Sequence, residues 1–240
     1  MIDLYAYNIS GIHSFREVAD LLAFVSEGRR QVISRFHFDE DRIRSLFAGL
    51  LLRYALHEKY GYSESAIDRN EYGKPIMKEP EGVFFNLSHS GDWVFLGIGD
   101  CNLGVDVERM DVIDLSIADE FFSTEECTFI HSCKEADRLD KFYTIWTLKE
   151  SYVKNIGKGL CMPLNHFVIS QEHDGIVVTL HGQRDDSVWF QTRNIDAHHK
   201  IAWCVSGSGQ EIENIPIQIV TTEQIQSFTQ GKKTERRSHP

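Results

Sequence analysis

In Gly104-Val-Asp-Val-Glu108 the two-residue period of a strand sends Val105 and Val107 to one face and Asp106 and Glu108 to the other. The two carboxylates are then roughly 7 Å apart along the backbone. Two hard oxygen ligands on one face suit Mg2+, which takes one or two carboxylates and completes its octahedron with water and substrate phosphates. A solvated polar face on an edge strand carries the same pattern. Farther on, at about 100° per residue, Leu139, Phe142, Trp146, Val153 and Ile156 form one apolar helical stripe. Lys149 falls within it, and Glu150 and Lys154, four residues apart, lie side by side along its margin. Charges on a core-facing side are costly unless paired or bound to an ion, so they point to a site. The bland alternative is an exposed Glu-Lys pair with a Lys149 that reaches along its stem to water.

Three weaker features accompany these. Asn86-Leu-Ser-His-Ser-Gly91 ends a strand in a tight turn and offers Ser88, His89 and local N–H groups to an anion, although polar groups at strand ends are common turn material. Gly73-Lys74-Pro75 reads as a turn with an exposed lysine. Arg29, Arg30, Arg35, Arg42 and Arg44 are the basic concentration of the acidic first half, either a phosphate clamp or a solvated helix face. There is no Gly-x-Ser-x-Gly elbow to mark a hydrolase.

The elements that must position these groups follow from periodicity and capping. Ile2 to Tyr7 alternates like a strand, Ser14 to Glu17 is a capping-box start for a helix through about Val25, and Asp39 to Tyr60 is a long helix ended by Gly61. Val83 to Ser88, Trp93 to Ile98 and Leu103 to Glu108 predict an antiparallel meander. The order then repeats: a capping box at Ser123 to Glu126, a helix from about Leu139 to Ile156, a hairpin turning at Asp174-Gly175, and strands Trp189 to Ile195 and Lys200 to Val205. The expectation is an α+β fold of two similar halves, residues 1–102 and 103–230, each a long helix on a small, mainly antiparallel sheet, with a site at their junction. Residues 231–240 read as a flexible tail.

Bulk properties bound the function. A chain of 240 residues with 42% hydrophobic and 25% charged residues can bury a sizeable core. No basic-apolar leader and no run of about 18 apolar residues is present, which predicts a cytoplasmic protein that does not span a membrane. Five cysteines without a Cys-x-x-Cys pair read as reduced packing residues. The net charge of −11 argues against nonspecific nucleic-acid binding, whereas a small anionic ligand is compatible with a few clustered cations.

Taken in order, Tyr72-Gly-Lys-Pro75, Phe85-Asn-Leu-Ser-His-Ser-Gly91, Gly104-Val-Asp-Val-Glu108, Phe121-Phe-Ser123, Trp146-Thr-Leu-Lys-Glu-Ser-Tyr-Val-Lys154 and Gly157-Lys-Gly159 resemble the Sfp-type 4′-phosphopantetheinyl transferases, which prime peptide synthetases and other carrier-protein assembly lines. The resemblance implies a pseudo-twofold pair of α+β halves with coenzyme A between them, and a carrier serine attacking the β-phosphorus with release of 3′,5′-adenosine diphosphate. Its partners would be coenzyme A and apo peptidyl or acyl carrier domains, with the enzyme a monomer. By position, Asp106, Glu108 and Glu150 resemble the Mg2+ ligands, Lys154 and His89 groups that hold the phosphates, and Lys74, Ser88, Arg44 and Ser45 contacts to the nucleotide end. Glu150 is the implied proton acceptor, directly or through water. Arg29 resembles a basic group near the 3′-phosphate. Where relatives carry a second basic residue three positions later this chain has Val32, with Arg30 as the substitute. A noncatalytic coenzyme A or carrier-binding module and another metal-dependent phosphotransferase or nuclease are the competing readings.

Overall fold

The structure, a computed structural model, describes residues 1–62, 65–173, 175–207 and 215–237. In chain order its elements are β1 (Ile2–Asn8), α1 (Glu27–Ile33), α2 (Asp39–Tyr60), β2 (Ala66–Arg69), β3 (Pro75–Glu79), β4 (Phe84–Ser90), β5 (Trp93–Gly99), β6 (Leu103–Arg109), α3 (Ala118–Phe121), α4 (Thr124–Ser132), α5 (Glu135–Ile156), β7 (Phe167–Glu172), β8 (Gly175–Leu180), β9 (Gln183–Arg184), β10 (Val188–Asn194), β11 (His199–Ser206), β12 (Ile217–Ile219) and α6 (Thr222–Arg237). The architecture is α+β, with small, mainly antiparallel sheets ordered β12-β1-β5-β4, β10-β11-β6, β7-β8-β9 and β2-β3.

Two helices of 22 residues organise the molecule, one per half. Helix α2 opens with Asp39, Glu40 and Asp41 at the positive end of its dipole and stops at Gly61, whose φ of +72° ends the hydrogen-bond ladder without a Cβ penalty. It lays Ile43, Phe47, Leu50 and Leu51 against the sheet containing β1, where the Tyr7 ring stacks on Phe47 at 4.5 Å. Helix α5 ends the same way at Gly157, φ +78°, and packs on β6 and β11. The contact with β6 is set at Gly104, where an added Cβ would run into the Ser151 carbonyl oxygen and the Asn155 nitrogen. Only glycine lets that strand lie so close to the helix backbone.

Several sequence expectations change. Ser14 does cap, but its Oγ accepts the Arg16 N–H while Asp39 takes the Phe15 N–H, so 14–25 forms two 3-10 segments rather than one α-helix. Strand β6 leaves the expected meander to pair with β11, from His199 opposite Arg109 to Val205 opposite Leu103. Toward β4 no backbone ladder forms; instead the Asn86 side-chain oxygen Oδ1 accepts the Val105 N–H at 2.8 Å. Residues 215–237 return to the first half: β12 runs parallel to β1, and α6 buries Ile225 and Phe228 against α2, with Gln224 donating to the Tyr54 hydroxyl. Helix α6 runs through Arg237. Asp174 of the expected hairpin turn lies outside the described residues; its neighbour Gly175 opens β8 at φ +129°. Among the described residues no helix is long and apolar enough to cross a membrane.

Lys149, whose place in the apolar stripe suggested a site, is a structural residue. It is fully buried, pairs with buried Glu126 at 2.8 Å, donates to the Leu164 and Phe167 carbonyls at 2.8 and 2.6 Å, and lies over the Phe167 ring. Glu126 also accepts the N–H groups of Ser123 and Ile169, so one ion pair ties α4, α5 and β7 together. Lys149→Met strands Glu126 as a buried charge and is expected to cost about 3–5 kcal/mol in denaturant unfolding. Adding Glu126→Gln should recover part of that loss, and a double variant as unstable as the sum of the singles would refute the coupling.

Candidate active site

Strands β4 and β6 run side by side without a shared backbone ladder, and the period of two on each strand does the rest. Asn86, Ser88 and Ser90 point from β4 toward Asp106 and Glu108 of β6. Ser88 Oγ donates to Asp106 Oδ1 at 2.9 Å, and Ser90 Oγ donates to Glu108 Oε2 at 2.8 Å while accepting the Arg109 N–H. From α5, Lys154 Nζ donates to Asp106 Oδ1 at 2.6 Å and to Ser88 Oγ at 3.0 Å. Glu150, one helical turn earlier, comes to the same cleft. Asn86 and Ser90 were not singled out from the sequence, although the alternation that marks Ser88 marks them too.

The charge balance is uneven. Asp106 is 1% exposed, and its Oδ2 has no hydrogen-bond partner among the described residues. Burial raises its carboxyl pKa against the pull of Lys154. Glu108 is pushed up to about 7, by burial first and by Asp106 second, and Glu150 is raised for the same two reasons in the same order. Burial works against the Lys154 ammonium, but Asp106, Glu150 and Glu108 outweigh it and raise that pKa. Three carboxylates thus face one ammonium, a deficit that a further cation would balance.

No group of three or more His, Cys, Asp or Glu side chains among the described residues forms a ready-made metal cage. A Mg2+ ion does not require one, because it keeps several waters and binds through one or two carboxylates plus substrate phosphates. The orphaned Asp106 Oδ2 and the uncompensated carboxylates therefore fit such an ion.

Asp106, Glu108, Glu150, Lys154, Ser88, His89 and Arg29 line one cleft of about 360 Å3. His89 is at its open edge, where desolvation by the surrounding wall first and Arg44 second lower its pKa to about 4. The Arg29 pKa is lowered by burial and then by Arg69. The remaining candidates are placed differently. Arg44 is not among the residues lining the cleft; it donates to the Gly91 carbonyl at 3.1 Å and pairs with Asp41. Ser45 is 1% exposed, with a hydroxyl that has no partner among the described residues. Lys74 is committed to the Asn155 and Leu103 carbonyls, and burial takes its pKa down to about 8. Arg30 pairs with Glu27 and donates to the Leu22 carbonyl, which ties up the guanidinium expected to stand in for position 32.

A second cavity of about 710 Å3 adjoins the first and shares Pro75, Asn86, Leu87, Glu150 and Lys154 with it. Its further walls, among them Tyr72, Lys74, Phe121, Trp146, Met162 and Leu164, are mostly apolar. The two spaces meet at the carboxylate and ammonium of α5.

Residues 13–99 match the family described as 4′-phosphopantetheinyl transferase, N-terminal, and residues 102–204 match the 4′-phosphopantetheinyl transferase superfamily. The chain is 35% identical over 195 residues to the 4′-phosphopantetheinyl transferase ffp of Bacillus subtilis, covering 80% of this chain and 87% of that one. It is 33% identical over 187 residues to the 4′-phosphopantetheinyl transferase Sfp of Bacillus subtilis strain 168, covering 77% and 84%. Against the 4′-phosphopantetheinyl transferase psf-1 of Bacillus pumilus the figures are 33% over 192 residues, 79% and 82%.

The raised carboxyls carry a consequence for pH. A folded-state pKa above the unfolded value means that the folded protein holds the proton more tightly, so the associated stability is complete below the ordinary Glu range near about 4.3 and is lost as pH rises. For Glu108 that loss runs through about 7. Metal-free protein should therefore melt at progressively lower temperature between about pH 5 and 8, and Glu108→Gln should flatten the profile. A variant profile as steep as wild type would remove Glu108 from the coupled cluster.

Proposed function

This chain belongs to the 4′-phosphopantetheinyl transferase superfamily, and we propose that it moves the 4′-phosphopantetheine group of coenzyme A onto a serine of an apo carrier protein, releasing 3′,5′-adenosine diphosphate. The observation that carries the residue-level reading is the Ser88–Asp106–Lys154 cluster at the meeting point of a polar cleft and a larger apolar cavity. The diphosphate belongs at that junction. The nucleotide end occupies the polar side, near Arg29, His89, Ser88 and Arg44, with Ser45 and Lys74 in the walls behind. The pantetheine arm extends along the Tyr72, Phe121 and Trp146 side, toward the carrier domain.

Asp106, Glu108 and Glu150 would hold Mg2+, which when bound supplies charge neutralisation at the diphosphate. The chain's own groups do the remaining work. Lys154, held by Asp106 and Ser88, is preorganised to stabilise charge that grows on the leaving phosphate. Glu150 faces both cavities, which places it to accept the serine hydroxyl proton, directly or through a water, as oxygen attacks the β-phosphorus.

Purified protein given coenzyme A, Mg2+ and an apo carrier domain should release 3′,5′-adenosine diphosphate in step with the mass gain of the carrier; binding of coenzyme A with neither product would instead indicate a noncatalytic module. Lys154→Ala should lower the single-turnover rate by on the order of 10²-fold at saturating coenzyme A and Mg2+, because it removes a preorganised transition-state contact. A rate within about threefold of wild type, under about 1 kcal/mol of barrier, would rule out that role.

A further inference from the structure

Two links reach into the proposed site from the turn between β4 and β5. The Gly91 carbonyl accepts from Arg44, and Ser90 Oγ holds Glu108. The turn itself is fastened from the other sheet by the loop between β10 and β11. His199, the first residue of β11 and 2% exposed, accepts the Asp92 N–H on Nε2 at 3.3 Å, so Nδ1 carries the ring proton and donates it to the Asp196 carboxylate at 3.0 Å. Asp196 also accepts the Trp93 indole N–H at 2.7 Å and the His198 N–H at 2.7 Å. The ring lies directly against Gly91, which has φ +51° and has no room for a Cβ: one added there would strike His199 Nε2 and approach Arg109 Cδ to 3.0 Å.

We infer that Asp196 and His199 are a positioning pair, which fixes the Ser90–Trp93 turn so that Arg44 and Glu108 are presented to the coenzyme and its cation. The inference rests on the functional reading above and adds to it two residues that touch neither substrate nor reacting atoms. The imidazole acts as an acceptor on one side and a donor on the other, a division that glutamine and asparagine separate. Glutamine reaches the Nε2 position and offers its carbonyl oxygen to the Asp92 N–H. Asparagine reaches only the Nδ1 position and keeps the link to Asp196.

The test is calorimetric titration of coenzyme A into wild type, His199→Gln, His199→Asn and Gly91→Ala, with steady-state kinetics and thermal midpoints on the same samples and Arg44→Ala as the reference. His199→Asn and Gly91→Ala should weaken coenzyme A binding and raise both its KM and the Mg2+ concentration for half-maximal rate by on the order of tenfold, as loss of an orienting partner does. kcat at saturation should stay within about threefold of wild type, and His199→Gln should retain clearly tighter binding than His199→Asn. A merely structural pair would lower thermal midpoints and active fraction while leaving KM and the Mg2+ requirement untouched, and that outcome overturns the inference. If Arg44→Ala weakens binding and the His199 variants do not, the positioning pair alone fails. If Arg44→Ala binds coenzyme A as wild type does, the reading of Arg44 fails and takes the inference with it.

Discussion

The Asp106 carboxylate is almost wholly removed from water, and the arrangement of the site follows from how its charge is met. One oxygen is satisfied by Ser88 from β4 and Lys154 from α5; the other has no partner among the described residues. Burying such an ion is expensive unless it is paired and hydrogen-bonded. The pairing in turn depends on Gly104, which allows α5 to lie against β6, and on Asn86, which takes up the Val105 N–H in place of a neighbouring strand.

The same cluster bears on how an acidic protein would take the anionic substrate proposed for it. A net charge of −11 disfavours polyphosphate on the open surface. In the cleft, however, Arg29 and Lys154 share the wall with Asp106, Glu108 and Glu150, and the positive charge of Arg44 is felt at His89. Burial first and the Asp106 carboxylate second raise the pKa values of Glu108 and Glu150, so both hold their protons to higher pH than usual. Both features leave the carboxylates of the cleft short of positive charge.

Much of this was legible in the sequence because local periodicity decides it. Alternation on β6 puts Asp106 and Glu108 on one face, and helical spacing brings Glu150 and Lys154 together. What escaped was what depends on partners distant in the chain. Periodicity showed Lys149 on the core side but not Glu126 waiting for it, so a structural ion pair looked like a site. Lys74 reads as an exposed turn residue until Asn155 and Leu103 offer their carbonyls. The exit of β6 toward β11, and the return of β12 and α6 to the first half, are non-local choices that strand propensity cannot rank.

The central feature of the site is the incomplete charge around Asp106. Titrating Mg2+ calorimetrically into metal-free protein saturated with coenzyme A, in buffers of different ionisation enthalpy, measures that charge directly. The predicted result is one bound ion per chain with net release of protons from the raised carboxyls, and no measurable binding in Asp106→Asn. An Asp106→Asn protein that binds Mg2+ as wild type does, or a wild type that binds without releasing protons, would contradict it.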